Sequence, residues 1–455
     1  MKFTPTDEQQ SILDTVSSDI DGSVVSIIAR AGCSKTSTSR LIVNTLKPKK
    51  ALYFAFNKAI VEEGKETFSS NVECKTLHAL AYQHVRPKKI EDFTYLCIKE
   101  DLDYPEKLAI INAVDSFFRS SSLDMYEYLD EVLQNSILVN IATQYVEYML
   151  DGTIPPTFNF LLKYFHILLA ENQIDIQYDL ILLDEAGDTT AVAVEIFKLL
   201  NSPKKIMLGD DLQTIYGFMN LVNGFTLVDK PIHLELTRSF RCSVQIAERV
   251  EAYCRKMLDK NFFFKGFNRE PTDSTMMYIS ATNSMLIKRM NELHEKGINY
   301  KLLRSTKDIF ACPLALTTAS SGKDVYHKRY KFLNVEYKNY TMSSYKSFFS
   351  YLKAEVADEE IHAAIDVLSA FKNNNINIFD VYKEANNRTV DDSVIICTAF
   401  TAKGLESDRV YIENDLNMKI TDIIASGDAE DDNELTYLKL GYVSISRCRF
   451  HLENC

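Results

Sequence analysis

The run Ala29-Arg30-Ala31-Gly32-Cys33-Ser34-Lys35-Thr36 constrains this chain more than any other segment. A β-branched stretch, Val24-Val25-Ser26-Ile27-Ile28, precedes it, and a helix-like Ser37-Thr38-Ser39-Arg40-Leu41-Ile42-Val43 follows. Strand, small-residue turn, then Lys-Thr opening a helix is the layout of a phosphate-binding loop. Backbone N–H groups and the helix N-terminus face the phosphates, the lysine reaches the terminal ones, and the threonine hydroxyl holds Mg²⁺. Gly32 is the only glycine in the turn, and Ser34 stands where a glycine usually precedes the lysine. For the loop alone, an ordinary strand-to-helix turn that contains a lysine is a competing reading.

Three more strand-like runs follow at α/β spacing: Ala51 to Phe56, Tyr178 to Leu183, and Lys205 to Leu208. Short apolar runs alternating with helical segments imply a parallel sheet covered on both faces. Between roughly Pro87 and Thr157 the pattern is amphipathic helix, with segments Tyr126 to Ile141 and Ile141 to Leu150. A second α/β unit is expected to begin near Pro231-Ile232-His233-Leu234, continuing through Met276 to Ile279 and Ser393 to Cys397. An aromatic-rich insertion between Ser305 and Arg388 reads as helical in its second half, Ser350 to Phe371. The expected division is a first core in 1–86 and 158–230 interrupted by a helical insertion at 87–157. The second core is expected in 231–304 and 389–455, interrupted at 305–388.

Composition narrows the functional classes. The chain has 455 residues, enough for two to four compact units, and its 46% hydrophobic and 25% charged content is that of a globular protein. The start, Met1 to Glu8, lacks the basic end and apolar core of a signal peptide. The most apolar stretch, Phe158 to Ala170, is broken by Lys163 and His166 and is too short to span a bilayer. A cytoplasmic protein with no membrane association is expected. Nine scattered cysteines without a C-x-x-C pair fit free thiols in a reduced compartment rather than disulfides or zinc; Cys33 reads as a small residue in the loop, not a nucleophile. A net charge of −12 argues against a generally basic coat. Local clusters are nevertheless basic: Lys47 to Lys50, Arg86 to Lys89, Lys204-Lys205, and Lys323 to Lys331 with Tyr326, Tyr330 and Phe332 interleaved. That last cluster reads either as a single-strand channel or as a solvated face. The acidic run Asp428 to Asp432 reads as a solvated loop.

Asp184-Glu185 stands directly after Leu180-Ile181-Leu182-Leu183, about 150 residues beyond the loop. In a parallel sheet the C-terminal strand ends line the ligand crevice, so both carboxylates are expected beside the phosphate loop. One carboxylate on Mg²⁺ and a second activating water are what nucleotide hydrolysis requires. After the next strand comes Gly209-Asp210-Asp211-Leu212-Gln213-Thr214-Ile215-Tyr216, where Gln213 can orient water or sense the terminal phosphate.

With these residues the chain resembles the UvrD/Rep group of superfamily 1 helicases, most closely the branch of the F-box DNA helicases and related phage proteins. Eight segments carry the resemblance in order. Thr6 to Leu13 looks like the adenine-reading Q motif, which makes Gln9 the base contact. Ala55-Phe56-Asn57-Lys58-Ala59 and Thr76-Leu77-His78-Ala79-Leu80 resemble motifs Ia and Ib, implying DNA contacts from Phe56, Asn57, Thr76 and His78. Asp184-Glu185-Ala186-Gly187-Asp188 resembles motif II, and Gly209 to Tyr216 motif III. Leu236-Thr237-Arg238-Ser239-Phe240-Arg241 is similar to motif IV, whose aromatic stacks on the base and whose arginine reaches the γ-phosphate. Thr398 to Glu406 is similar to motif V, implying that Glu406 meets the ribose; Tyr442 to Arg447 looks like motif VI, with Arg447 a second arginine finger.

The resemblance implies two RecA-like cores with ATP and Mg²⁺ as cofactors. Ala31, Gly32, Cys33, Ser34, Lys35, Thr36 and Ser37 would surround the phosphates, Thr36 and Asp184 would hold the metal, and Glu185 would activate water. Gln213, Arg241 and Arg447 would stabilise the transferring phosphoryl group. Arginines supplied from the second core would couple hydrolysis to cleft closure, and such an arginine accelerates phosphoryl transfer by ~10³–10⁵. The expected protein is an ATP-dependent translocase and helicase, 3′-to-5′ by family analogy. It is expected to act as a monomer on single-stranded DNA and duplex junctions, and single-strand-binding or recombination proteins are candidate partners. Other readings are a translocase that strips proteins with little unwinding, a nucleotide-binding regulatory module, and a motor on RNA. The sequence departs from the family pattern at Arg30, Ser34, Gly187, Met219, Phe400 and Ser407.

Overall fold

The computed structural model describes residues 4–18, 22–55, 58–427 and 431–454. The chain divides into two compact units, Met1–Thr237 and Arg238–Cys455. Each holds a parallel sheet flanked by helices, so the architecture is that of two RecA-like α/β cores.

In the first unit six strands, β1 (Val24–Ala29), β2 (Ala51–Ala55), β3 (Val72–Thr76), β4 (Leu180–Leu183), β5 (Lys205–Gly209) and β6 (Ile232–Leu236), lie in the order β3-β2-β4-β5-β1-β6. Every neighbouring pair is parallel. β2 and β4 are buried along their whole length, which is why they read as unbroken apolar runs instead of alternating ones. The registers Ile28↔Gly209 and Leu183↔Met207 bring the C-terminal ends of β1, β5 and β4 to one edge of the sheet. On one face Leu52, Phe54, Leu183 and Met207 pack with Phe165, Leu169 and Phe197.

β6 corrects the expected boundary. The Pro231 to Leu234 segment does not open the second core; it forms β6, which pairs with β1 from Val25↔Ile232 to Ala29↔Leu236. The first unit therefore runs through Thr237. Periodicity could not reveal this, because an edge strand's sheet is chosen by tertiary pairing.

The insertion is helical, with helices Tyr104–Arg119, Met125–Leu133 and Ser136–Leu150 around Phe117, Phe118, Val139 and Phe160. No single helix spans Tyr126 to Ile141. Gln134 adopts a left-handed backbone (φ 50°), and the Asn135 side chain accepts from the N–H groups of Ile137 and Leu138 to start a new helix. The next helix, Phe158–Ala170, joins the insertion to the first unit's sheet: Phe160 and Leu161 enter the insertion's apolar cluster, while Phe165 and Leu169 enter that of the sheet. Among the described residues no helix is long and apolar enough to cross a membrane.

In the second unit β7 (Met276–Ser280), β8 (Lys301–Leu302), β9 (Val394–Thr398), β10 (Ser407–Ile412) and β11 (Cys448–Glu453) are ordered β11-β10-β7-β9-β8, all parallel. The insertion here has helices in its first half as well as its second: Ala311–Ser320 and Leu333–Thr341 pack with Phe348–Glu355 and Glu359–Asn373. Small residues at the buried positions of the first, Ala315 and Ala319, and a single buried residue in the second, Leu333, hid their periodicity. In the Lys323 to Lys331 cluster Val325 and Tyr330 are buried anchors, Arg329 pairs with Glu360 at 2.8 Å, and Tyr326 is 85% exposed. Asp431 caps helix Asp432–Ile445, so the acidic run ends in structure; residues 428–430 lie outside the described set.

The first strand-to-helix turn of the second unit differs in kind from that of the first. Asp415 accepts from the N–H of Ala281 (3.2 Å) and from the N–H and hydroxyl of Thr282 (both 2.9 Å). A carboxylate from another helix thus holds the two amides just before helix Asn283–Glu295, and the Thr282 hydroxyl caps its first turn by accepting from the Met285 N–H at 3.2 Å.

Lys163 lies inside the first insertion's core, 1% exposed. Its ammonium donates to the carbonyls of Ser120 (2.9 Å) and Ser122 and lies 4.4 Å from the Phe117 ring centroid. Burial pushes its pKa down to about 7. An unfolded lysine titrates near ~10.4, so between these values the unfolded chain holds the extra proton and stability rises with pH. Wild-type melting temperature should therefore climb from pH 7 to pH 9 more steeply than that of Lys163→Met; parallel curves would remove Lys163 as the source.

Candidate functional site

The loop after β1 is shaped by two consecutive turns into positive φ, Gly32 at 72° and Ser34 at 59°. Ala31 and Cys33 are buried beneath it, and the Cys33 N–H donates to the Arg30 carbonyl at 3.1 Å. Ser34 is the N-cap of helix Lys35–Leu46 but makes no side-chain bond to its first turn. The first-turn amides of a helix have no intrahelical partners, and here Lys35, Thr36 and Ser37 supply them. This is the geometry of an anion site.

Gln9 reaches the loop from helix Asp7–Ser17. It completes a capping box with Thr6, and its side-chain amide donates to the Thr38 hydroxyl at 3.0 Å, which in turn donates to the Ser34 carbonyl at 3.1 Å. Gln9 is 1% exposed, so in this state it braces the loop.

Asp184 and Glu185 leave β4 at the same sheet edge. The Asp184 N–H donates to the Phe54 carbonyl (3.0 Å) and the Ala186 N–H to that of Leu208 (2.8 Å), which tethers the turn to β2 and β5. Asp184 is buried; one carboxylate oxygen accepts from the Glu185 N–H at 2.8 Å and the other from the Tyr53 hydroxyl. Glu185 sits in the left-handed region (φ 53°), and its carboxylate is paired with the Lys35 ammonium. Burial alone would lower the Lys35 pKa, but the charges of Glu185, Asp184 and Asp210 outweigh it and raise it. Burial raises the Asp184 pKa, with Glu185 adding to the effect and Lys35 opposing it. Lys35, Asp184 and Glu185 are thus one cluster, 150 residues apart in sequence.

β5 lies between the two and delivers the next motif. The Gln213 side-chain amide donates to Asp210 at 2.7 Å, and Arg30 pairs with Asp211 and, at 3.4 Å, with Asp210. Farther along the edge, Thr76 caps helix Leu77–Val85 by accepting from the Ala79 N–H at 3.1 Å. His78 meets Asn159 at 3.3 Å and the edge of Phe158, and burial lowers its pKa. Phe56 and Asn57 lie outside the described residues.

The second unit gathers its own group. Arg241 donates to Glu406 at 2.8 Å and to the Ser446 carbonyl at 3.2 Å, and Arg449 pairs with Glu406 and, at 3.1 Å, with Asp408. Burial would raise the Glu406 pKa, but the bonds from Arg449 and Arg241 lower it. Arg447 is 1% exposed and donates to the carbonyls of Val443 (3.0 Å) and Leu405 (3.4 Å) and to the Ser446 hydroxyl (3.1 Å). Phe240 packs against Phe267 with ring centroids 5.6 Å apart.

Residues 12–219 match a protein-family model described as an AAA domain. The F-box DNA helicase 1 of Gallus gallus is 29% identical over 274 residues, covering 53% of this chain and 27% of that protein. The F-box DNA helicase protein 1 of Schizosaccharomyces pombe is 23% identical over 503 aligned positions, covering 95% of this chain and 55% of its own length. The RecBCD enzyme subunit RecB of Borreliella burgdorferi is 28% identical over 159 residues, 34% of this chain and 13% of that one.

Over part of its length the chain is similar to proteins named DNA helicases. It spans 13% to 55% of the length of these curated relatives.

The departures from the pattern that the chain resembles have physical reasons. A Cβ on Gly187 would stand 2.4 Å from the Asp210 carbonyl oxygen, so the backbones after β4 and β5 touch where only glycine fits. Arg30, in a position where the resembled pattern has glycine, is 6% exposed and bonds the loop after β1 to the end of β5 through two acidic residues. Tyr53 and Arg449 are the site neighbours that motif reading missed. Tyr53 lay inside an apolar run and Arg449 beyond the last motif, and only contacts reveal them.

Two measurements probe the loop. Left-handed backbone costs a non-glycine residue about 1–2 kcal/mol, against about 0.4–1 kcal/mol for the extra chain entropy of a glycine. Ser34→Gly should therefore gain about 0.5–1 kcal/mol in denaturant melts; a loss would show that the serine side chain contributes more than its strain. Removing one partner of a buried ion pair leaves the other uncompensated, so Arg30→Ala should lose about 3 kcal/mol, and a change below about 0.5 kcal/mol would mean that the pair is not formed in solution.

Proposed function

We propose that the chain hydrolyses ATP with Mg²⁺ and uses the cycle to move along single-stranded DNA and separate strands at duplex junctions. The observation that carries this reading is the Lys35–Glu185 pair beside Asp184, on the same sheet edge as an uncapped phosphate loop. Relatives whose names include DNA helicase support DNA as the track.

The charges dictate an order of events. Two carboxylates face one ammonium, so a polyanionic triphosphate is repelled unless a cation comes with it. Among the described residues no cluster of three or more His, Cys, Asp or Glu could hold a metal by itself. One buried carboxylate, Asp184, and one hydroxyl, Thr36, are the hard oxygen donors that suit Mg²⁺ carried in by phosphates. An ion held by Asp184 and Thr36 would supply positive charge to offset that of the phosphates. Lys35 leaves Glu185 for the phosphates, and the freed Glu185 carboxylate accepts a proton from the attacking water. Gln213, held by Asp210, orients that water.

In this reading Arg241 and Arg447 stabilise the transferring phosphoryl group, Gln9 and Phe240 hold the base, and Glu406 holds the ribose. Phe56, Asn57, Thr76 and His78 contact DNA. These roles rest on the motif resemblance.

The test is ATP turnover with and without single-stranded DNA, beside RNA of matched length. DNA should stimulate the wild-type protein, and Lys35→Ala should lower turnover by about 10²-fold or more. Equal turnover in both proteins would leave a nucleotide-binding module without motor activity, and stronger stimulation by RNA would change the track.

A further inference from the structure

We propose that Tyr53 is a positioning residue for Asp184, fixing its carboxylate in the orientation that meets the cation. The inference rests on the function proposed above and adds to it a group that no motif contains. Tyr53 lies on β2, opposite Leu182 of β4, one residue before the end of the Phe54↔Leu183 register. Leu52 and Phe54 join the apolar core on one face, so strand alternation sends Tyr53 to the other.

A buried strand position needs an apolar ring, not a hydroxyl, and phenylalanine would pack there as well. A tyrosine hydroxyl in a core needs a partner, and this one donates to a carboxylate oxygen of Asp184. The other oxygen already accepts from the Glu185 N–H at 2.8 Å. A carboxylate bonded at both oxygens cannot swing, yet each oxygen keeps a lone pair for a further ligand. Groups of this kind, one shell behind a metal ligand, orient it before the metal arrives.

The ring is held as closely as the hydroxyl. Phe68 lies 4.9 Å away between centroids. A Cβ on Gly64 would stand 2.9 Å from Tyr53 Cε1 and 3.3 Å from Cys74 Sγ. Gly64 occupies helix Lys58–Thr67, where glycine is unfavourable relative to alanine. Its presence there is explained by the close approach of the Tyr53 ring. Gly64, Phe68 and Cys74 form a slot, and the slot sets the reach of the hydroxyl.

The experiment measures binding rather than turnover. A fluorescent N-methylanthraniloyl ADP is bound to the full chain while Mg²⁺ is titrated, in wild type, Tyr53→Phe and Gly64→Ala. Tyr53→Phe keeps the ring and loses only the hydroxyl. It should raise the half-saturating Mg²⁺ concentration about 10-fold, with metal-free nucleotide affinity unchanged. Gly64→Ala, which crowds the ring, should shift the Mg²⁺ requirement in the same direction, and the double variant should add nothing further. Should Tyr53→Phe fail to fold, the Gly64→Ala titration decides alone. A Mg²⁺ requirement within twofold of wild type, with only the melting temperature moved, would make the hydroxyl a packing detail and overturn the proposal. A wild-type chain that binds the nucleotide without any Mg²⁺ dependence would sink the proposed function itself.

Discussion

The structure of the first unit is organised around one electrostatic problem: two adjacent carboxylates, one of them fully inside the protein, held beside a single lysine. Asp184 and Glu185 follow a strand with no polar residue, so their charge is brought to the sheet edge by the burial of Leu180 to Leu183. The Lys35 ammonium neutralises Glu185, and the Tyr53 hydroxyl and a backbone N–H satisfy Asp184. The backbone is strained on both sides of this contact, at Ser34 and at Glu185, each near φ 55° as 59° and 53°. Strain of this kind persists only where surrounding packing over-determines it, and here the six-stranded sheet supplies that constraint.

Around this centre the departures from the family pattern are mutually adapted. Arg30 brings a positive charge to the base of the loop, and the end of β5 answers it with Asp210 and Asp211. Gly187 brings the two turns after β4 and β5 into backbone contact, so the turn bearing Gln213 is held close to the carboxylates. These contacts tie the three strand ends that matter, β1, β4 and β5, into one rigid edge.

The second unit repeats the sheet but not the site. Its first strand-to-helix turn is closed by the Asp415 carboxylate, which takes the N–H groups of Ala281 and Thr282, and by the Thr282 hydroxyl, which caps the helix that follows. What it offers instead is a group of arginines around Glu406, with Arg241 and Arg449 on either side. The same layer architecture thus carries a helix N-terminus without a side-chain cap beside a lysine–carboxylate cluster in one unit and a group of arginines in the other. The difference lies in a few residues at strand ends.

Sequence by itself determined the parallel α/β character, the strand–turn–helix that ends in Lys35-Thr36, and the placing of Asp184-Glu185 beside that turn. Those signals are local: a buried parallel strand must be apolar throughout, and its chemistry must follow at its C-terminal end. Tertiary structure decided what depends on partners distant in the chain. It placed β6 on the first sheet, broke the expected Tyr126 to Ile141 helix at Gln134, and gave Ser34 the backbone of a glycine. It also turned Tyr53 from one more apolar residue in a strand into a hydrogen-bond donor to Asp184, because a hydroxyl's role is set by what lies across the fold from it.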